Sequence, residues 1–183
     1  MATPATARLM TAEEFERLPD PPHGEKMELV EGKVVTQMPV GRPHARIAGR
    51  LAATLVPFVD AHRLGEIHVE LGHRTRRAPD SVRAPDVSFL ATAALAAQPE
   101  EGFLDGAPTL AIEVLSPDDR VGDIAKKVAE CLSAGAGRVW VVRPAERTAS
   151  PCTARMGPRR PIRRATRSPV PTPASPSMAS RSL

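Results

Sequence analysis

Two carboxylates and one ammonium group interrupt otherwise apolar segments of this 183-residue chain. Asp86 lies in VRAPDVSFL, Glu113 lies in the middle of TLAIEVLSP, and Lys127 falls in the segment that follows. A carboxylate in a buried strand is costly unless it is paired or bound to a metal. Each residue also has an ordinary explanation: a solvated sheet face for Glu113, a turn for Asp86 and a solvated helix for Lys127.

Together the three residues predict a divalent-metal site. Carboxylates on adjacent strands can converge on one Mg²⁺, while a backbone carbonyl and waters complete its octahedron. A metal held there would neutralise charge on a phosphate and lower the pKa of a bound water. A nearby ammonium group, which Lys127 could supply, would orient that water or stabilise the charge that develops. The expected ion is Mg²⁺, with Mn²⁺ as the other candidate.

A strand–helix–strand unit should position two of these groups. Thr109 to Leu115 reads as a buried strand, Asp119 to Ala134 as a helix and Arg138 to Val142 as the next strand. This order implies a parallel strand pair with a right-handed crossover. The elements expected before it are a short helix after Thr11, two strands in residues 26–38, a helix from His44 to Ala61 interrupted at Pro57, and strands at 66–71, 74–77 and 82–90.

Helical spacing separates Lys127 from its neighbour Lys126. Lys127 lies three residues after Ile124 and four before Cys131, so it shares their inward face. Lys126 lies about 100° away, on a more solvated arc of the helix. We therefore expect Lys127 to point towards the two carboxylates.

Several segments resemble one known family, in that family's order and over about residues 9–147. They are MELVEG, PHARI, RAPDVSF, APTLAIEVLSP and DIAKKVAECLSAGAGRVWVV. The chain resembles a bacterial family of restriction endonucleases, formerly known as a domain of unknown function, within the PD-(D/E)XK nuclease superfamily. The resemblance implies an α/β (α+β) fold with a mixed central sheet flanked by helices. It also implies a Mg²⁺-dependent endonuclease that hydrolyses DNA phosphodiester bonds.

The resemblance also implies roles for individual residues. Asp86 and Glu113 match the two acids of the superfamily motif, as catalytic residues and metal ligands. The usual lysine lies two positions after the second acid, where this chain has Leu115; the family's lysine is displaced to the position of Lys127. Glu28, in MELVEG, matches an upstream acid that approaches the metal. His44, in PHARI, matches a family histidine near the start of a helix, and it is expected to contact a substrate phosphate.

Charge and hydropathy restrict location and partners. Seven of the 25 basic side chains and none of the 21 acidic ones lie from Ser150 onward, so residues 1–149 carry a net charge of about −3. The basic balance of the whole chain is therefore weak support for nucleic-acid binding. No apolar run approaches the roughly 18 residues of a membrane span, and the N-terminus does not resemble a signal peptide. We expect a cytoplasmic protein that acts on DNA. A homodimer would most simply cut both strands.

The composition changes near residue 149. Residues 1–149 should form the restriction-endonuclease-like domain, and residues 150–183 a disordered tail rich in proline and arginine. A second interpretation is a frameshifted translation, because codons read one base earlier allow the strand-like peptide VTVHRPDG after Ala149. The resembled family continues with a strand pair after Arg147. The alternative function is therefore a catalytically inactive or truncated binding module with the nuclease fold, and a hydrolase of another substrate also stays open.

Overall fold

Strands and helices of varied length occupy residues 8–144 and 148–153, which the computed structural model describes. The helices in this part of the chain are α1 (Ala12–Glu16), α2 (Arg42–Ala61), α3 (Thr92–Leu95) and α4 (Val121–Ser133). The strands are β1 (Lys26–Val30), β2 (Lys33–Gln37), β3 (Gly65–Val69), β4 (His73–Arg76), β5 (Ser81–Arg83), β6 (Val87–Ala91), β7 (Leu104–Asp105), β8 (Leu110–Val114), β9 (Arg138–Arg143) and β10 (Thr148–Thr153).

The strands form two five-stranded sheets rather than one central sheet. The first sheet has the order β2-β1-β5-β4-β7, and the second has the order β10-β9-β8-β6-β3. Both sheets are mixed, because β4 pairs with β7 in parallel and β8 pairs with β9 in parallel while the other pairs are antiparallel. The fold is therefore α+β, as predicted, but its strands are divided between two sheets.

The division between the sheets falls inside VRAPDVSFL. The sequence predicted one strand over residues 82–90, whereas the chain leaves the first sheet after β5 and enters the second at β6. Pro85 explains the break, because proline has no N–H to donate to a strand ladder. The N–H of Ala84 is donated instead to the Glu28 carboxylate at 2.9 Å. Asp86 consequently lies at the junction of the two sheets.

The predicted strand–helix–strand unit and its parallel strand pair are confirmed. β8 and β9 pair in parallel, with Ala111 opposite Val139, and α4 connects them. The core beneath α4 contains Ala111, Cys131, Ala136 and Val139, all buried. Burial of this apolar face against the sheet holds α4 at a defined rotation about its axis.

The helix α2 continues past Pro57, so the predicted interruption does not end it. Among the described residues, no helix is both long enough and apolar enough to cross a lipid bilayer.

β10 pairs antiparallel with β9 from Thr148 to Thr153. Pro151 is tolerated because β10 is the outer strand of its sheet. The strand crosses the boundary predicted at residue 149, so residues 150–153 lie in the sheet rather than in the predicted tail. The remainder of that tail, residues 154–183, lies outside the described residues, and so do the predictions of its disorder and frameshift.

A buried histidine couples stability to pH. His73 Nε2 lies 3.2 Å from Ser88 Oγ, and the ring is almost fully buried. Burial, helped by the neighbouring His68, lowers the pKa of His73 to about 4 from 6.5. The folded state therefore keeps His73 neutral over a pH range in which the unfolded chain binds a proton. The contribution of neutral His73 to the free energy of unfolding is fully present above pH 6.5 and is lost as the pH falls towards 4.

We predict that His73→Gln flattens the pH dependence of stability in this window. The wild-type free energy of unfolding should fall by up to about 3 kcal/mol relative to the variant between pH 6.5 and 4. Urea denaturation at several pH values measures the difference. The exposed His23→Gln serves as the matched control and should follow the wild type. Parallel curves for wild type and His73→Gln would contradict the prediction.

Candidate active site

The two acids of the predicted site face each other across neighbouring strands. β6 and β8 are antiparallel with Val87 opposite Ile112, and continuing this register by one residue brings Asp86 opposite Glu113. Directly opposed residues of an antiparallel pair project to the same side. The N–H of Val114 donates to Asp86 Oδ2 at 2.7 Å, which fixes the Asp86 carboxylate against β8.

Lys127 reaches one acid of this pair, Glu113, from α4, and it also reaches Glu28. Its Nζ lies 2.8 Å from Glu113 Oε2 and 2.9 Å from Glu28 Oε1. Although burial opposes its charge, the two carboxylates raise the pKa of Lys127 above its usual value. Lys127 is 7% exposed. The Lys126 side chain is 81% exposed and its Nζ lies 3.8 Å from Asp123 Oδ1, so of these two adjacent lysines it is Lys127 that contacts the site.

The Glu113 carboxylate is only partly hydrogen-bonded. Burial raises the pKa of Glu113 to about 7, the Asp86 charge adds to this effect, and the Lys127 ammonium opposes it. Glu113 Oε2 accepts from Lys127, but Glu113 Oε1 is buried with no hydrogen-bond partner among the described residues. An unpartnered buried oxygen is unfavourable. A cation or a proton at this position would satisfy it.

Asp86 is surrounded by basic groups. His44 Nε2 lies 3.0 Å from Asp86 Oδ2, and Lys26 Nζ lies 3.2 Å from Asp86 Oδ1. His44 lies in the first turn of α2 and is buried. The structure thus places His44 in direct contact with the Asp86 carboxylate.

Glu28 has partners on both carboxylate oxygens. Oε1 accepts from the Ala84 N–H and from Lys127, and Oε2 accepts from Arg83 Nη1 at 3.1 Å. Although burial opposes ionisation, Lys127 and Arg83 hold the pKa of Glu28 below its usual range. Arg83 also donates from Nη2 to Glu130 Oε2 at 2.7 Å, so this guanidinium links β1 to α4.

The donor set fits a divalent ion in part. In the part of the chain that the structure describes, no three acidic, histidine or cysteine side chains converge to hold a metal ion. The predicted set of Asp86, Glu113 and Glu28 is therefore not assembled, because Glu28 is turned to its basic partners. Asp86 and Glu113 do fit, since they are neighbouring oxygen donors and Glu113 Oε1 has no hydrogen-bond partner within the described ranges. Two carboxylates with water are an ordinary Mg²⁺ set.

These groups lie in an open cleft of about 1340 Å³. Its lining includes Asp86, Glu113, Lys127, His44 and Glu28. Only a small fraction of each of these side chains is exposed in the cleft.

Sequence reasoning missed three basic or acidic partners. Lys26 was detectable, because it lies two residues before Glu28 on the same strand and therefore on the same face. Arg83 and Glu130 carried a weaker signal: an arginine within a buried segment requires carboxylates, but spacing does not say which. Leu115 in the usual lysine position does not leave Glu113 without an ammonium partner, because α4 supplies Lys127.

Two mixed sheets with paired acids and a lysine at a cleft define a nuclease-like α+β protein. A solved structure supports this class: a "putative nuclease belonging to DUF820" from Anabaena variabilis ATCC 29413 is 26% identical, with a TM-score of 0.66, over 81% of this chain and 82% of that chain. No curated protein matches the chain. The family model described as "Uma2: Putative restriction endonuclease" matches residues 12–179, so the chain belongs to this family.

Proposed function

We propose that this chain is a metal-dependent endonuclease that hydrolyses DNA phosphodiester bonds with Mg²⁺ or Mn²⁺. The observation that carries the proposal is the 2.8 Å contact between Lys127 Nζ and Glu113 Oε2, beside Asp86 in an open cleft. Two acids can hold a metal that activates water, and an ammonium beside them can stabilise the charge that develops in phosphodiester hydrolysis. Membership of the restriction endonuclease family supports the reaction class.

Asp86 and Glu113 are the proposed metal ligands. The unpartnered Glu113 Oε1 and the facing Asp86 carboxylate support this role. A divalent ion bound there would neutralise charge on the phosphate and lower the pKa of a bound water.

Lys127 is the proposed charge-stabilising group. An ammonium has three N–H donors, and two of them are directed to Glu113 and Glu28. The third can be donated to a phosphate oxygen or to the attacking water. Because two carboxylates keep Lys127 charged, it acts as a donor rather than as a base.

Glu28 and His44 are proposed to orient other groups. Glu28 has both oxygens engaged, so it positions Lys127 rather than binding the metal. His44 holds Asp86 through Nε2. Because His44 also lines the cleft, contact with a substrate phosphate remains part of the proposal.

We predict that Glu113→Gln and Asp86→Asn lose both metal binding and cleavage. Loss of a supporting contact alone costs about 10–100-fold in metal affinity, so loss of a ligand should exceed this range. Calorimetry with Mn²⁺ and a plasmid cleavage assay with Mg²⁺ measure the two effects. The exposed Glu100→Gln is the matched control. Full cleavage by either active-site variant would contradict the proposal.

The second candidate is a binding module that keeps the nuclease fold without catalysis. One observation favours it: the Asp86 carboxylate already contacts Lys26 and His44 and accepts a hydrogen bond from the Val114 N–H. These groups compete with a metal for its oxygens. The same measurements separate the candidates. A binding module would hold DNA but would neither bind Mn²⁺ at Glu113 nor cleave plasmid.

The proposal also includes a cytoplasmic location and a homodimer, in which two active sites would cut the two strands. The catalytic unit is proposed to be residues 1–149 together with the β10 residues that complete its sheet.

A further inference from the structure

Three arginines line one exposed face of α2. Arg42, Arg46 and Arg50 follow one another at intervals of four residues, and all three are exposed. Residues four apart on a helix share a face. At about 1.5 Å per residue, the three side chains extend over about 12 Å of helix. We call this set the α2 arginine stripe.

The stripe is a cluster of arginines without acidic partners in the described part of the chain, unlike the arginine cluster next to β4. The cluster next to β4 is neutralised by the ion pairs Arg74–Glu13, Arg76–Glu31 and Arg77–Asp105. Among the described residues, no ion pair includes a member of the stripe. Its helix carries one acid, Asp60, in the last turn. The positive charge of the stripe is therefore uncompensated in a domain whose net charge is mildly negative.

The surface around the stripe is low and open. The neighbouring exposed residues are Ala45, Gly49 and Ala53. A Cβ added at Gly49 would meet no atom within 4 Å. Short side chains between the arginines allow a broad ligand to approach the helix closely. The stripe has no aromatic side chain on which unpaired bases could stack, so it favours contact with a phosphate backbone.

The stripe begins beside the active-site cleft. Gly41, the residue before α2, lines the cleft, and His44 in the first turn contacts Asp86. Arg42 lies between them in sequence. A long ligand bound along the stripe would therefore extend to the edge of the cleft.

We propose that the α2 arginine stripe binds the phosphate backbone of double-stranded DNA next to the bond that enters the cleft. The inference rests on the proposed function and adds the surface that holds the substrate. Each strand of a duplex carries one phosphate per about 3.4 Å of axis. The roughly 12 Å stripe thus meets several phosphates of one strand.

The triple variant Arg42→Gln, Arg46→Gln, Arg50→Gln tests the inference, because glutamine preserves helix propensity. Fluorescence anisotropy with a labelled duplex, in a chelator that prevents cleavage, should show at least about tenfold weaker binding at low salt. The slope of log K against log salt should become shallower by about 2.7, or about 0.9 per lost phosphate contact. If the triple variant does not fold, each single variant should reduce the slope by about 0.9.

The matched control removes the same charge elsewhere, with Lys33→Gln, Arg63→Gln and Arg138→Gln, all exposed. Equal losses in the two triple variants, or an unchanged slope in the stripe variant, would overturn the inference while leaving the nuclease proposal intact. A larger loss with a single-stranded oligonucleotide would overturn the assignment to duplex DNA. A wild type that neither binds nor cuts duplex DNA would overturn the proposed function itself.

Discussion

Lys127→Met is expected to reduce DNA cleavage by a factor on the order of 10²–10³, the usual effect of removing one preorganised donor to developing charge. Methionine keeps the length of the buried stem but removes the ammonium that contacts Glu113 and Glu28. Metal affinity should change much less, because Lys127 is not a proposed ligand. Single-turnover cleavage and calorimetry with Mn²⁺ provide the two measurements.

Lys126→Met is the natural control for this experiment. It is the adjacent residue of the same helix, but its side chain is 81% exposed and contacts only Asp123. Cleavage by this variant should equal that of the wild type. If Lys126→Met lost activity and Lys127→Met retained it, the assignment would be wrong by one residue. If both variants were fully active, the displaced-lysine mechanism would be excluded.

Arg83→Met is expected to lower the free energy of unfolding by about 3–5 kcal/mol. The guanidinium neutralises Glu28, whose side chain is fully buried, and Glu130, whose side chain is largely buried. Removing it leaves both carboxylates without this partner in a poorly solvated environment. For a chain of this size the change corresponds to a fall in Tm of roughly 6–20 °C. Urea denaturation and thermal melting measure the effect.

Arg76→Met provides the comparison, because Arg76 and its partner Glu31 are both exposed. Exposed ion pairs contribute at most about 1 kcal/mol. Arg83→Met should also lower kcat more than it raises KM, since loss of Arg83 frees Glu28 to move away from Lys127. Similar stability losses in the two variants would argue against a buried charge network. An unchanged kcat in Arg83→Met would argue against its positioning role.

The acids and the lysine were predictable because each interrupts an apolar pattern. Glu113 in LAIEV and Lys127 on the inward arc of α4 are anomalies that a sequence displays directly. Lys26 and Arg83 were missed because the sequence does not say which distant carboxylate each basic side chain meets. Lys26 pairs with Asp86, 60 residues away along the chain, and Arg83 pairs with Glu28, 55 residues away.

The errors in the predicted fold arise where a local pattern does not show how strands pair. The apolar pattern continues on both sides of Pro85, so nothing in residues 82–90 signalled that the two halves join different sheets. β7 has two residues, too few to produce a periodic pattern. β10 contains Pro151, which disfavours a strand everywhere except at an edge. Edge position depends on long-range pairing, which a local pattern does not specify.

The helical origin of Lys127 changes what controls the acid–ammonium distance. If the lysine lay two residues after the acid, one strand would carry both groups, and the pleat would hold them at a constant separation. Here Glu113 belongs to the sheet and Lys127 to α4, so their separation varies with the rotation and sliding of a helix over a sheet. The residues that set this rotation include Cys131 on the buried face of α4 and Val139 on β9, which pack in one core cluster. The distance between acid and ammonium can therefore be tuned from the interior, by the size of side chains that do not line the cleft.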